Sequence, residues 1–445
     1  MKVVLISTYD LGRQPFGLAS AAAWLRARGH EVRCADISVD PFPGSAVSDA
    51  GLVAFYLPMH TATRLAARAI EKTRAVNGAA HLAGYGLYAP LNQDYLRSLG
   101  VTTIIGGEFE AALADLADSL KAGQRVEART VVPLDRLTFL MPDRSGMPGL
   151  GQYARLVTAE GELTVGSTEA SRGCKHLCRH CPVVPVYQGA FRVVQREVVL
   201  EDIRQQAAAG ARHITFGDPD FFNGPTHSLR IVEDLHREFP DLTYDVTIKV
   251  EHLLEHREWL PALKETGCLF ITSAVESLDD EVLRKLEKGH TRRDFYECAA
   301  LCRSEGLLLN PTFIAFLPWT TRASYVDLLS TIRKLDLVEQ VSPVQLGLRL
   351  LIPVGSRLLE LDDVRRVVRH FDEGALAWRW SHPDPEVDQL SKAVLAAVKR
   401  GQQAGRSRRE IFADVWETAT GEQLREDADL LPRAAVPYLN EPWYC

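Results

Sequence analysis

The sequence predicts an α/β protein in which a doubly wound parallel sheet is followed by a partial (β/α)6 barrel and a helical C-terminal extension. Two observations predict this order. Short apolar runs alternate with helical stretches twice along the chain, and a segment rich in proline and glycine separates the two alternations. A chain of 445 residues is too long for one core, so we expect two domains and an appendage. The expected divisions are residues 1–122, a connector over 123–166, a barrel over 167–360 and a helical region with a tail over 361–445.

The first alternation begins with a short β-branched run and a helix of small apolar residues. Strands are predicted over 2–7, 31–37, 52–56, 81–84 and 103–105, with helices over 17–28, 60–76 and 108–120. This alternation predicts a Rossmann-like parallel sheet with helices on both faces. The connector that follows carries prolines 133, 142 and 148, so we expect it to cross between the domains.

The second alternation supplies six candidate strands, separated by helical stretches such as 200–209 and 280–286. The candidates are residues 168–171, 213–216, 244–250, 270–275, 309–316 and 344–351. Six βα units form a partial barrel, and the carboxyl ends of barrel strands carry the functional site. The clearest later helices are 392–400 and 408–418.

Composition narrows the function classes. Hydrophobic residues make up 46%, charged residues 24% and the net charge is −7, so the chain lacks the basic character of a nucleic-acid partner. The apolar start is too short for a signal peptide or a membrane span, so we expect a cytoplasmic protein with no membrane partner. Cys34, Cys268, Cys298 and Cys302 have no disulfide-framework spacing, and we expect them to be buried.

Three cysteines carry the chemistry. Cys174, Cys178 and Cys181 form a C-x3-C-x2-C loop directly after the first candidate barrel strand, and no fourth cysteine follows at ligand spacing. Three thiolates suit a [4Fe-4S] cluster that leaves one iron open to a substrate or cofactor. The alternative is a zinc site completed by His176 or His180, because a closed zinc site needs four ligands.

This loop at the start of a barrel resembles the radical S-adenosylmethionine (SAM) superfamily. The resemblance implies that the three thiolates hold the cluster and that the amino and carboxylate groups of SAM chelate the fourth iron. It implies that one electron cleaves SAM to a 5′-deoxyadenosyl radical, which abstracts a hydrogen from a substrate that the sequence does not identify. A low-potential reductant such as flavodoxin or ferredoxin is therefore an expected partner.

The same resemblance assigns cofactor-binding residues near the first strands. His180 stands where family members usually carry an aromatic residue that packs near the adenine. Asp218 and Asp220, in the 216–222 segment, are expected to accept hydrogen bonds from the SAM ammonium group, with a solvated turn as the alternative. Lys249 is expected to line the barrel on the third strand.

Further cofactor-binding candidates lie on the later strands. Glu276 and Ser277 are expected to hydrogen-bond ribose or carboxylate groups, with a structural salt bridge as the alternative for Glu276. This segment and residues 288–291 resemble a recurring pair in the family. Arg349 is a candidate cation for a carboxylate, and a surface ion pair is equally compatible with it. Phe316 stands where the family usually has glycine.

The front alternation resembles the cobalamin-binding domain that precedes the barrel in a large radical SAM subgroup. Residues 106–108 and 58–61 carry the likeness, whereas Gly12 stands where a cobalt-ligating histidine belongs. Cobalamin is therefore a candidate cofactor, and three outcomes are open: cobalamin bound without a protein imidazole, a domain that has lost cobalamin, and a domain reused to hold substrate. His60 is a further candidate ligand, although a capping or surface role is more usual for such a residue.

The tail carries the last resemblance. The whole chain, including residues 59–63 and the closing Tyr444-Cys445, resembles the CUAEP/CCAEP-tail radical SAM (seleno)proteins. Their tail continues as Cys-Cys-Ala-Glu-Pro or Cys-selenocysteine-Ala-Glu-Pro. This resemblance implies that the sequence stops one codon before a selenocysteine. It also makes Cys445 a candidate catalytic residue for redox exchange or binding of a soft element.

The resulting hypothesis is a radical SAM enzyme with an unidentified substrate. One alternative is a cobalamin-dependent radical SAM methyltransferase, which would carry corrinoid absorbance as well as iron. The other is a non-catalytic iron-sulfur or soft-metal binding protein that uses the C-terminal cysteine. Such a protein would form no 5′-deoxyadenosine from SAM.

Overall fold

The computed structural model of the protein describes residues 1–424 and 438–440. The front of the chain forms a sheet of six parallel strands. These are β1 Lys2–Ser7, β2 Glu31–Asp36, β3 Leu52–Tyr56, β4 His81–Tyr85, β5 Thr103–Ile105 and β6 Arg129–Val131. Their order is β2-β1-β3-β4-β5-β6, so the order reverses between β1 and β3.

Five helices flank the front sheet. They are α1 Phe16–Ala27, α2 Gly44–Val47, α3 His60–Val76, α4 Gln93–Ser98 and α5 Phe109–Lys121. Side chains alternate across each strand, so Val3 and Leu5 join a core with α1 and α5, whereas Val4 and Ile6 join a second core with α3 and α4. The predicted doubly wound sheet is confirmed.

The second part of the chain forms a curled sheet and two small antiparallel pairs. Its strands are β7 Arg155–Thr158, β8 Gly161–Thr168, β9 Ser171–Gly173, β10 Phe191–Val193, β11 His213–Phe216, β12 Thr243–Thr247, β13 Cys268–Glu276, β14 Leu308–Phe313, β15 Val368–Asp372, β16 Ala377–Trp380 and β17 Tyr438–Leu439. The curled sheet has the order β14-β13-β12-β11-β8-β7-β17, in which β8 and β11 to β14 run parallel. β7 and β17 extend its edge in antiparallel orientation, whereas β9 pairs with β10 and β15 with β16.

Four barrel-strand predictions differ from the structure by more than two residues at an end. The third, predicted over 244–250, ends at Thr247, and the fifth, predicted over 309–316, ends at Phe313. The first barrel strand, predicted over 168–171, runs over Gly161–Thr168 because it begins in a hairpin with β7. The predicted sixth strand over 344–351 is wrong: Pro343–Leu346 forms a 3-10 turn, and a single parallel bridge joins Phe316 to Arg349. The Gln345 side chain accepts the Phe313 N–H at 3.2 Å, so a side chain takes a backbone donor that a sixth strand would use. The partial barrel is confirmed with five parallel strands and this bridge.

Eleven helices surround and extend the barrel. They are α6 Val184–Tyr187, α7 Arg196–Ala208, α8 Pro225–Glu238, α9 Val250–Glu255, α10 Leu260–Glu265, α11 Asp280–Leu286, α12 Arg292–Ser304, α13 Arg322–Lys334, α14 Asp362–Val367, α15 Pro385–Gln403 and α16 Arg408–Thr420. Short 3-10 turns occupy Pro90–Asn92, Leu150–Gln152, Phe221–Asn223, Arg257–Trp259, Pro343–Leu346 and Arg357–Glu360. The helical C-terminal region shares the barrel core, because Val394 of α15 and Phe412 of α16 are buried in it.

Arg144, in the predicted connector, contacts both the front part of the chain and the barrel part. Arg144 donates from Nε to Asp202 of α7 at 2.7 Å and from Nη1 to the Gln14 side chain of the front domain at 2.6 Å. Asp202 is fully buried, so this contact is an internal one. Within residues 1–424 and 438–440, no helix combines the length and the apolar composition needed to cross a membrane.

Candidate functional site

The cysteine loop leaves the carboxyl end of β9 at a glycine. Gly173 has a φ of +72°, and a Cβ there would lie 2.4 Å from the Ala190 carbonyl oxygen, so this turn needs glycine. Cys174 and Cys178 are buried, and the Cys181 N–H donates to the Cys178 carbonyl at 3.1 Å. The loop therefore turns back on itself, and its three thiols lie near enough to act on one another electrostatically.

Burial disfavours the thiolate forms of two cysteines of this loop. It raises the pKa of Cys181 to about 12, and the neighbouring Cys178 and Cys174 contribute in the same direction. Burial also raises the pKa of Cys174. Cys174 and Cys181 therefore need a bound cation to become thiolate ligands, because metal binding displaces their protons.

The end of β11 supports the loop from below. Asp218 accepts the Ala170 N–H at 2.9 Å and the Ser171 hydroxyl at 2.6 Å, and burial raises its pKa to about 7. Asn223 accepts the Lys175 N–H at 3.3 Å. Both carboxylate oxygens of Asp218 thus hold the residues that lead into the cysteine loop.

Glu276 at the end of β13 lies beside the loop. Its Oε1 lies 3.0 Å from His180 Nε2 and 3.6 Å from Lys288 Nζ. Burial alone would raise the pKa of Glu276, but Lys288 and His180 lower it to about 2. Its φ of +69° is a left-handed conformation that costs on the order of 1–3 kcal/mol in a residue other than glycine. A strained, buried anion therefore contacts the cysteine loop through His180, and its neighbour Ser277 accepts the Asp279 N–H at 3.1 Å.

The 288–291 segment brings two more polar groups to the site. Lys288 is 3% exposed, and His290 is 6% exposed with no hydrogen-bond partner among the described residues for either ring nitrogen. Burial, Lys288 and Lys249 together lower the pKa of His290 to about 4, so its imidazole is neutral. The sequence pattern pointed to this segment but not to these side chains.

A further group of polar residues meets behind the cysteine loop. Asp220 Oδ2 lies 2.7 Å from His252 Nδ1, and His252 Nε2 lies 3.0 Å from His176 Nε2. Lys249 donates to Glu251 at 3.0 Å. Lys249, predicted to line the barrel on the third strand, instead lies after β12, which ends at Thr247, and directly before α9. Sequence reasoning missed His252, which lies on α9 with no motif around it.

Arg349 lies away from this group. It donates to Asp388 at 2.6 Å, and its guanidinium carbon lies 3.7 Å from the centre of the Trp380 ring. Of the two alternatives predicted for Arg349, the structure shows the ion pair, which is formed with Asp388. Cys445 lies outside the described residues. Cys34, Cys268, Cys298 and Cys302 are buried as predicted.

The front domain reaches the cysteine loop through Arg172, two residues before Cys174. The Arg172 guanidinium lies 2.7 Å from both Glu110 and Glu169 and 3.6 Å from Glu108. Burial raises the pKa of Glu108 to about 7 in spite of Arg172. This buried ionic cluster joins the carboxyl edge of the front sheet to the base of the loop. Elsewhere on that edge, His60 Nε2 lies 2.6 Å from the Ala375 carbonyl oxygen, between β15 and β16.

The part of the chain that carries the cysteine loop matches a known protein family. Residues 168–332 match the model of the Radical SAM superfamily. Residues 168–332 therefore belong to the radical SAM superfamily. Members of this superfamily use a [4Fe-4S] cluster and SAM.

Two curated relatives of the radical SAM domain are methyl-transferring enzymes by name. The chain is 27% identical over 227 residues to the hopanoid C-3 methylase of Methylococcus capsulatus, covering 48% of this chain and 43% of that protein. It is 24% identical over 207 residues to the bacteriochlorophyllide d C-12(1)-methyltransferase of Chlorobaculum tepidum, covering 45% of this chain and 43% of that one. The chain spans about half the length of the curated relatives it matches.

Solved radical SAM structures share the fold over a longer stretch. The cobalamin-dependent SAM radical enzyme OxsB, with aqua-cobalamin and SAM bound, matches with a TM-score of 0.71 and 16% identity, covering 90% of this chain and 67% of that one. The radical SAM methyltransferase TsrM of Kitasatospora setae matches with a TM-score of 0.63 and 18% identity, covering 76% of this chain and 72% of that one. At these identities the likeness shows the fold alone.

Proposed function

We propose that this protein holds a [4Fe-4S] cluster on Cys174, Cys178 and Cys181 and cleaves SAM reductively. The product would be a 5′-deoxyadenosyl radical that acts on an unidentified substrate. The observation that carries the proposal is that three thiols of one loop lie near enough to act on one another electrostatically, with both loop histidines directed to other partners. The cluster would supply the electron, and the chain supplies the pocket around the open iron.

The zinc alternative requires a fourth ligand from the loop. His180 instead lies against Glu276, and His176 lies against His252. Either imidazole would have to leave a buried or half-buried polar partner to complete a tetrahedral site, which costs about 1–3 kcal/mol for each group left unsatisfied. The arrangement therefore favours a three-thiolate site with an open position.

The charges at the barrel mouth suit SAM, which carries a sulfonium, an ammonium and a carboxylate. Glu276 stays ionised because Lys288 and His180 lower its pKa, so it offers an acceptor for the N–H groups of the iron-bound amine or for ribose hydroxyls. Lys288, together with the unpartnered imidazole of His290, offers donors for the carboxylate. We assign these three residues to SAM, ahead of Asp218, whose oxygens are used by the loop.

Anaerobic reconstitution tests this proposal. Wild-type protein should bind about four irons per chain and form 5′-deoxyadenosine from SAM and dithionite. Cys178→Ala should lose both the iron and the product, whereas Cys302→Ala, which changes a cysteine buried on α12, should keep both nearly intact. Iron without any 5′-deoxyadenosine would favour a non-catalytic cluster protein instead.

Cobalamin-dependent methyl transfer is the second candidate, and the fold likeness to OxsB favours it. In a doubly wound domain a ligand binds beside the carboxyl ends of the strands where the order reverses, here between β1 and β3. On the α1 side this crevice is filled: a Cβ on Gly17 would lie 2.2 Å from the Tyr56 ring, which packs on Tyr85 at 5.4 Å. Tyr85 in turn packs on Phe109 at 5.0 Å.

These buried rings leave no space for the nucleotide tail of cobalamin on that side unless they move. On the α1 side the residues present therefore do not fit the cofactor, and we derive no step through it. Protein purified from cobalamin-fed cells tests the second candidate: a stoichiometric corrinoid absorbance would establish it, and protein without corrinoid would exclude it.

The remaining parts of the proposal concern partners and the tail. Flavodoxin or ferredoxin in the cytoplasm is the proposed electron donor, since radical SAM enzymes need a reductant. Cys445 stays a proposed catalytic residue for redox exchange. Its replacement by alanine should leave SAM cleavage intact and block only the reaction on the substrate.

A further inference from the structure

We infer that His176, Asp220 and His252 form a second metal site, separate from the cysteine cluster, for a zinc-type divalent cation. The three residues come from the loops that follow three adjacent strands: the cysteine loop after β8 and β9, the loop after β11, and α9 after β12. One ligand atom from each lies within 4.8 Å of the other two. The proposal goes beyond the proposed function and does not depend on it.

The first argument is charge. Asp220 is fully buried, and its ion-pair partners among the described residues are the imidazoles of His176 and His252 rather than a lysine or arginine. The nearby Lys249 pairs with Glu251 at 3.0 Å rather than with Asp220. A buried carboxylate without a permanent positive partner is costly, and a divalent cation would compensate it.

The second argument is that two buried polar atoms of the site lack a hydrogen-bond partner among the described residues. Asp220 Oδ2 and His252 Nδ1 are buried and lie 2.7 Å apart, yet neither has a hydrogen-bond partner of acceptable geometry. Buried polar atoms in native proteins are normally satisfied, so such a pair points to a missing bound group. His252 is 1% exposed and Asp220 is 0% exposed, which makes this an interior site rather than a surface acidic cluster.

The third argument is distance. Zinc bonds to nitrogen and oxygen measure about 2.0–2.2 Å, so two of its ligands lie no more than about 4.2 Å apart. Asp220 Oδ2 lies 2.7 Å from His252 Nδ1 and 4.0 Å from His176 Nε2, and one ligand atom of each residue lies within 4.8 Å of the other two. Two ligands of one tetrahedral zinc lie about 3.3–3.5 Å apart, so an ion that separates Asp220 from His252 and draws His176 closer contacts all three residues.

The types of ligand atom determine which metal ions suit the site. Two imidazoles and one carboxylate suit zinc, iron(II), cobalt(II) or manganese(II), whereas calcium and magnesium prefer all-oxygen sites. The ion would join the cysteine loop, through His176, to the ends of β11 and β12.

Metal content of the full-length, cluster-reconstituted protein tests the inference. After incubation with zinc and removal of the excess, wild-type protein should contain about one zinc in addition to about four irons. His252→Ala and the near-isosteric Asp220→Asn should lower zinc affinity at least tenfold and leave the iron count unchanged. His256→Ala is the matched control, since its ring lies 5.9 Å from that of His252 but outside the site.

X-ray absorption at the zinc edge identifies the ligands. The inference predicts nitrogen and oxygen at about 2.0–2.1 Å and no sulfur at about 2.3 Å. Absence of zinc from the wild type, or equal zinc in His252→Ala and His256→Ala, would overturn it. A sulfur shell would overturn both this inference and the cluster assignment, whereas a nitrogen and oxygen shell without 5′-deoxyadenosine formation would overturn the proposed function alone.

Discussion

Arg172→Met tests whether the buried ionic cluster holds the front domain on the cysteine loop. The guanidinium lies 2.7 Å from Glu110 and from Glu169, and its carbon lies 4.8 Å from the centre of the Phe109 ring. The Arg172 side chain is only 8% exposed, and that of Glu110 is fully buried. Methionine keeps the apolar stem and removes the positive charge that compensates these carboxylates.

Removing one partner of a buried ion pair costs about 3–5 kcal/mol, because the remaining charge is left uncompensated in the interior. At roughly 2–4 °C per kcal/mol for a domain of this size, the melting temperature should fall on the order of 10 °C. The loss should be smaller at pH 6 than at pH 8, because Glu108, whose pKa is already about 7, is neutralised by a proton at the lower pH.

Calorimetry of Arg172→Met beside Arg204→Met separates the junction from an ordinary surface pair. Arg204 donates to Glu238 at 2.6 Å and to Glu201 at 2.8 Å on the surface, where such pairs contribute about 0–1 kcal/mol. The control should therefore shift the melting temperature by no more than a few degrees. Equal shifts in the two variants would refute the reasoning.

Two further predictions concern the acids near the loop. Glu276→Gln removes the anion that Lys288 and His180 surround, so SAM affinity measured by calorimetric titration should fall about 10- to 100-fold with the iron content unchanged; an unchanged affinity would contradict the assignment. Glu108→Gln removes a carboxyl whose pKa in the folded protein, about 7, exceeds its ordinary value of 4.5. The folded state therefore binds a proton that the unfolded state lacks between those pH values, and the wild type gains stability as pH falls from 7 toward 5. The variant should lose up to about 1.4 kcal/mol per pH unit of that gain in melting experiments, whereas identical profiles would argue against it.

The architecture was predictable because its signals are local. Runs such as 2–7 and 213–216 are apolar and β-branched, and each is followed by a helix, so alternation alone predicts both parallel sheets. The segment 344–351 has the same apolar character, but the Gln345 side chain takes a backbone donor of β14. That contact joins residues far apart in the chain, and no local pattern reports it.

The residues of the candidate site likewise fall into two groups: those that a local sequence pattern predicts and those whose partners only packing determines. Cysteine spacing identifies the loop, since three ligands on one short segment are a local property. The partners of Asp218 and Arg349 are set by packing: the first supports Ala170 and Ser171, and the second pairs with Asp388 on α15. His252 escaped prediction because its only distinguishing feature is the distance to Asp220 across two loops.

Electron–nuclear double resonance of the reduced protein with SAM labelled at its amino nitrogen with nitrogen-15 tests the central claim most directly. The account predicts a nitrogen-15 hyperfine coupling to the cluster, because the amino group would bind the iron that the three cysteines leave open. Cys178→Ala should abolish the signal. A reconstituted, reduced wild-type cluster that shows no coupling, or a zinc ion bound by the three sulfurs and an imidazole in its place, would contradict the account.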